Sequence, residues 1–177
     1  MSFLSRSWSD AEKWGMGIIA AILIAAILGV AGWMWTAGAR TERDTAFLLG
    51  FDSAAALAAA LKGESIVQFQ SGILGHLQSL GVEGQSFPTD PGADGGAAVH
   101  TFAASVLGRL EATKSGEVPA AFLLAWSGML KIGGAVDFAS FDVPKAAADA
   151  GYLVDTQLSD REILEAIAVE ARSRRPR

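Results

Sequence analysis

The chain has 177 residues, 51% of them hydrophobic, with 14 Lys and Arg against 19 Asp and Glu and a formal net charge of −5. It contains no cysteine and only 2 histidines, His76 and His100, which excludes disulfides, Cys-based zinc sites, iron–sulfur ligation, c-type haem attachment and thiol catalysis within it. The acidic balance argues against a nucleic-acid partner, because a phosphate backbone would be repelled and no basic stripe with interleaved aromatics is present.

The first element is predicted by the run Trp14–Thr36, WGMGIIAAILIAAILGVAGWMWT, which carries no charged residue. A helix of this length spans a hydrocarbon core of roughly 30 Å, so the run reads as a single transmembrane helix. Ser9 and Glu12 form a capping box that starts helix before the bilayer. Trp8 and Trp14 at one end, and Trp33 and Trp35 at the other, are placed as headgroup-level anchors. The rival reading is a secretory signal peptide cleaved after Ala37-Gly38-Ala39. The apolar run is longer than a typical h-region, which favours an uncleaved anchor.

Within the run, Gly17, Ala21, Ala25 and Gly29 recur at every fourth residue. Small residues at that spacing let a second helix approach closely, so this stripe is the expected packing interface with integral membrane subunits. The absence of Asp, Glu, Lys, Arg and His from the run disfavours a proton relay or an ion path through it. Loop charges are nearly balanced across the span, with Arg6 and Lys13 before it and Arg40 and Arg43 after it. A short leading tail and a large following domain point to a cytoplasmic N-terminus and a periplasmic domain.

Residues 37–171 are expected to form a small, mainly α-helical extramembrane domain. Asp52 or Ser53 is predicted to cap an alanine-rich helix through Lys62, closed by Gly63. Glu64–Leu80 places Ile66, Phe69, Ile73, Leu77 and Leu80 at helical steps, ended by Gly81, although Ile66–Gln70 also alternates as a short strand would. Residues 81–97, rich in Gly and Pro, read as a long loop. Ala98–Lys114 and Pro119–Ile132 are predicted helices. The second is apolar nearly all round, as the central helix of a domain would be, and too short to cross a bilayer.

The segment 135–143, AVDFASFDV, reads as a short strand or an extended connection. Pro144–Ala150, closed by Gly151, reads as a short helix, and Tyr152–Val154 as a buried link. Ser159 and Glu162 form a capping box for a last helix, with Leu158 placed to staple onto Ile163 and with Ile163, Leu164, Ile167, Ala168 and Ala171 on one face. Arg172, Arg174, Arg175 and Arg177 then make a basic tail, 172–177, for electrostatic contact with anionic headgroups or an acidic partner. Residues 45–171, by contrast, hold fifteen acidic and six basic residues, a net of minus nine.

No catalytic, cofactor-binding or metal-ligating set emerges. His76 and His100 with Asp94 are the nearest approach to an acid–base or metal site, and Trp126, Gln78 and His76 are the nominees for a ligand pocket. The expectation is therefore a non-catalytic, single-pass accessory or assembly subunit of a bacterial inner-membrane complex. Energy-transducing, respiratory or photosynthetic machinery is the class expected. The alternative is a membrane-tethered periplasmic ligand-binding or sensing module.

Overall fold

The computed structural model describes residues 37–82, 84–88 and 94–174. The expectations placed on Ser9, on Trp8, Trp14, Trp33 and Trp35, on the stripe Gly17, Ala21, Ala25 and Gly29, and on Arg175 and Arg177 lie outside the described residues. The described residues are helical, with no strand among them: α1 (Ala37–Leu61), α2 (Val67–Leu80), α3 (Gly95–Thr113), α4 (Glu117–Ile132), a single 3-10 turn (Val136–Phe138), α5 (Val143–Asp149) and α6 (Asp160–Ser173).

Helix α1 departs most from expectation. It is one continuous helix of 25 residues, and Asp52 and Ser53, expected as its cap, lie in its interior. Cap preference was overridden by burial, because Ala46, Phe47, Leu48 and Leu49 are all at most 2% exposed and bind the preceding turns into the core. By length and composition α1 is a helix that could cross a membrane, yet 67% of its apolar stretch is buried inside the domain. Its apolar surface is therefore satisfied by protein.

Helices α1 and α4 form the centre and separate two hydrophobic clusters. On one side Ala46, Leu49 and Leu57 of α1 and Val118, Phe122 and Trp126 of α4 pack with Ile73 and Leu77 of α2 and Val99, Val106 and Leu110 of α3. On the other, Phe47 and Leu48 of α1 and Ala121, Leu124 and Ala125 of α4 pack with Val143 and Ala147 of α5 and Ile163, Leu164 and Ile167 of α6. The predicted central role of α4 is thus shown by burial on both faces. The two helices cross at Gly50, where a Cβ would lie 2.4 Å from the Phe122 carbonyl oxygen. Only glycine lets the backbones meet so closely.

Other boundaries moved for local reasons. Helix α2 starts at Val67, and the alternating Ile66–Gln70 stretch is helical from that residue onward. Gly81 closes it in the left-handed conformation as expected (φ 65). The loop predicted over 81–97 ends earlier, because Gly95, Gly96 and Ala97 already belong to α3; a Cβ at Gly96 would meet Leu61 Cδ2 at 2.7 Å, so glycine permits that helix end to pack on α1. Residues 135–143 contain the 3-10 turn in place of a strand, and Val143 opens α5 under an Asp142 cap that accepts from the Lys145 amide at 3.0 Å. The α6 capping box is present, with Ser159 and Glu162 in both reciprocal contacts. Leu158, placed to staple it, is 39% exposed.

Candidate functional site: two carboxylates of α1

The chemistry-bearing residues of the described domain gather around two carboxylates of α1, Asp44 and Asp52. Asp44 is 4% exposed and Arg43 7%, unusual burial for ionised side chains. Asp44 Oδ1 accepts from the Tyr152 hydroxyl at 3.2 Å and, more distantly, from Arg43 Nε and Nη2 at 3.4 Å each. Its other oxygen, Oδ2, accepts from Arg174 Nη1 at 3.2 Å. Arg43 also donates from Nη1 to the Gly151 carbonyl at 2.7 Å, and its guanidinium lies over the Tyr152 ring, 4.3 Å from the centroid.

Local structure explains why these groups meet. The α5 chain turns at Gly151 in the left-handed region (φ 75), which delivers the Gly151 carbonyl and Tyr152 back toward α1. A Cβ at Gly151 would stand 3.1 Å from both Arg43 Nη1 and the Glu117 carboxylate, so this position needs glycine for its φ and for its neighbours. Arg174 is the C-cap residue of α6 and also pairs with Glu170 one turn back. Tyr152 is buried, and burial first and the Asp44 charge second push its hydroxyl pKa well above the ordinary tyrosine range. It therefore stays protonated and serves Asp44 as a donor. These donors converge on one carboxylate and one carbonyl, so the cluster acts as a tie joining α1, the α5–α6 connection and the end of α6.

Asp52 sits eight residues further along α1 and is more open. Its Oδ2 meets His76 Nε2 of α2 at 3.1 Å, and its Oδ1 is 4.0 Å from Arg172 Nη2 of α6. His76 is 2% exposed, whereas the Asp52 side chain is 26% exposed and that of Arg172 55%. The Arg172 guanidinium also lies 5.5 Å from the Phe51 ring centroid. His76, nominated from sequence for an acid–base or metal site with His100 and Asp94, is a buried partner of Asp52. A carboxylate beside an imidazole can hold its ring orientation and tautomer.

The sequence-nominated sets separate. His100 is exposed and packs edge-on against Trp126, ring centroids 6.0 Å apart, while Asp94 stands at the start of α3 without a side-chain cap bond. No group of three His, Cys, Asp or Glu suited to a metal ion occurs among the described residues. Of the pocket nominees, Trp126 is buried at 6% and Gln78 is exposed. Tyr152 is buried as expected of its link, but Leu153 is fully exposed.

A groove of about 270 Å3 instead lies between α4 and α5, lined by Ala120, Leu123, Leu124, Phe141 and Ala146 with Asp142, Lys145 and Asp149 at its rim. Asp142 is the α5 cap, and Asp160 binds Lys131 at 2.8 Å. Sequence reasoning missed Asp44 and Tyr152. The available signal was an Arg-Asp pair separated by Thr45 alone from the apolar AFLLGF stretch, where an unpaired charge would be costly. No known protein family, curated protein or solved structure matches this chain.

Proposed function

We propose that the chain is a non-catalytic, single-pass accessory or assembly subunit of a larger bacterial membrane complex, of the energy-transducing, respiratory or photosynthetic class. The observation that carries this reading is the position of the Asp44 tie. Helix α1 is a core helix by Thr45, which is 4% exposed and only nine residues beyond the last residue of the apolar run, Thr36. So short a connection in sequence between the apolar run and the domain core supports reading the two as parts of one membrane-anchored subunit.

The span would dock through Gly17, Ala21, Ala25 and Gly29, with the Trp8, Trp14, Trp33 and Trp35 rings at the headgroups. A cytoplasmic N-terminus and a periplasmic domain at the inner membrane complete the arrangement.

The test is purification of the tagged full chain from native membranes in mild detergent, with mass spectrometry of what migrates with it. A stoichiometric set of membrane subunits, lost in Ala21→Leu and Ala25→Leu variants, is the expected result. A chain that migrates alone would overturn it. One observation favours a second reading, a tethered ligand-binding or sensing module: the apolar α4–α5 groove, whose Leu123 is 39% exposed. Saturable binding of an apolar ligand, abolished by Leu123→Asp, would support that alternative.

A further inference from the structure

Helix α4 is buried on both faces, yet its Leu123 is left 39% exposed at the edge of the α4–α5 groove, beside half-buried Phe141. Ala120 and Ala146 line the same groove, and their short side chains leave the hollow open. Its walls are held by bonds of their own. Lys131 donates from Nζ to the Phe141 carbonyl at 2.7 Å and pairs with Asp160 at 2.8 Å, while Val143 and Ala147 root α5 in the core with no exposed surface. A hollow formed in advance costs a partner little ordering to enter.

The volume, about 270 Å3, falls below the roughly 300–1,000 Å3 of sites that enclose a small ligand. It suits anchoring side chains borne by a larger partner, as when the apolar face of an amphipathic helix lies in a groove.

Charge at the rim selects among such partners. Lys145 Nζ is engaged by Asp149 Oδ2 at 2.5 Å, and Asp142 Oδ1 accepts from the Lys145 amide at 3.0 Å. Asp142 Oδ2 and Asp149 Oδ1 have no protein donor among the described residues, so two carboxylates stand against one ammonium that is already paired. Residues 45–171 carry the same sign, a net of minus nine. A basic segment is drawn to this rim and an acidic one is repelled.

We propose that the α4–α5 groove docks an amphipathic helix of a neighbouring subunit, with apolar side chains entering beside Leu123 and Phe141 and lysines or arginines meeting Asp142 and Asp149. The inference rests on the reading of the chain as a subunit of a larger complex and names one contact of its helical domain.

The test uses the full chain in its native membrane. An aliphatic diazirine amino acid replaces Leu123 in one version and Val169, 64% exposed on α6, in another. After irradiation the complex is purified in mild detergent and the crosslinked peptides are mapped by mass spectrometry. Position 123 is expected to link to one apolar segment of net positive charge in a co-purifying subunit, at several-fold the yield from 169. Asp149→Lys should lower that yield roughly threefold, the size expected of exposed ion pairs, and Lys145→Glu should preserve or raise it. Both side chains are more than half exposed, so the fold tolerates either change.

Links from 123 to lipid, to a second copy of the chain or to an acidic segment would overturn the proposal, as would equal yields from the two charge variants. Subunits that co-purify without any link from 123 would overturn the groove contact and leave the subunit reading standing. A chain that migrates alone would overturn that reading, and this contact with it.

Discussion

Asp44 and Asp52 share a helix, stand eight residues apart and each face an arginine from the end of α6, yet their surroundings differ sharply. Asp44 is 4% exposed and receives a tyrosine hydroxyl and two guanidinium groups, while the Asp52 side chain is 26% exposed with one imidazole close by and an arginine at 4.0 Å. The difference teaches that an ion pair cannot be valued from the identities of its members. A buried carboxylate stripped of partners is intolerable, whereas a partly wet one exchanges protein partners for water at little cost.

Removing each carboxylate is the sharpest way to break the comparison. Asp44→Ala leaves Arg43 and Tyr152 buried without their shared acceptor and should destabilise the domain by about 3–5 kcal/mol. Denaturant unfolding of the full chain in mild detergent measures this loss, followed by far-ultraviolet circular dichroism. A cost below about 1 kcal/mol would mean that the cluster is solvated and is not a tie.

Tyrosine 152 sharpens the same contrast through pH. Its folded-state pKa is raised above the unfolded value near 10, chiefly by burial. Stability from the protonated hydroxyl is therefore fully present below pH 10. Above it the unfolded chain loses this proton while the folded chain retains it, so stability should fall by up to about 1.4 kcal/mol per pH unit. Tyr152→Phe should cost about 1 kcal/mol at neutral pH through the lost hydrogen bond. The same substitution should remove that part of the alkaline slope, which paired unfolding curves at pH 9 to 11 would detect.

Much of this architecture was legible in the sequence, for identifiable reasons. The α6 capping box, the all-round apolar α4 and the glycine stops at Gly63, Gly81 and Gly151 are local signals, and the structure carries each of them. Helix α1 was misread because Asp52-Ser53 looks like a cap when only neighbours in sequence are considered. The core that buries Ala46–Leu49 comes from helices far along the chain. The Asp44 cluster was illegible for the same reason, since Tyr152 is 108 residues from Asp44 and Arg174 is 130. No periodicity or spacing connects residues so distant.

The Asp52 side of the comparison predicts smaller effects. Asp52→Asn retains polar contact with His76 and should cost less than about 1 kcal/mol, and Arg172→Gln less than about 0.5 kcal/mol given its exposure. Next to Asp52, Ser53 is fully buried and its Oγ has no hydrogen-bond partner among the described residues. Ser53→Ala should therefore stabilise the domain by about 0.5–1 kcal/mol, through a better helix former and one fewer unmet polar group. Thermal unfolding resolves the sign.

The central claim is that the Asp44 cluster fastens three separate parts of the chain at once. Hydrogen exchange read by mass spectrometry on the full chain, compared with its Asp44→Ala variant, tests it most directly. The account predicts that peptides covering the opening turns of α1, the Gly151–Tyr152 turn and the end of α6 lose protection together, while α2 and α3 lose far less. Loss confined to α1, with the Tyr152 and Arg174 segments as protected as before, would contradict it.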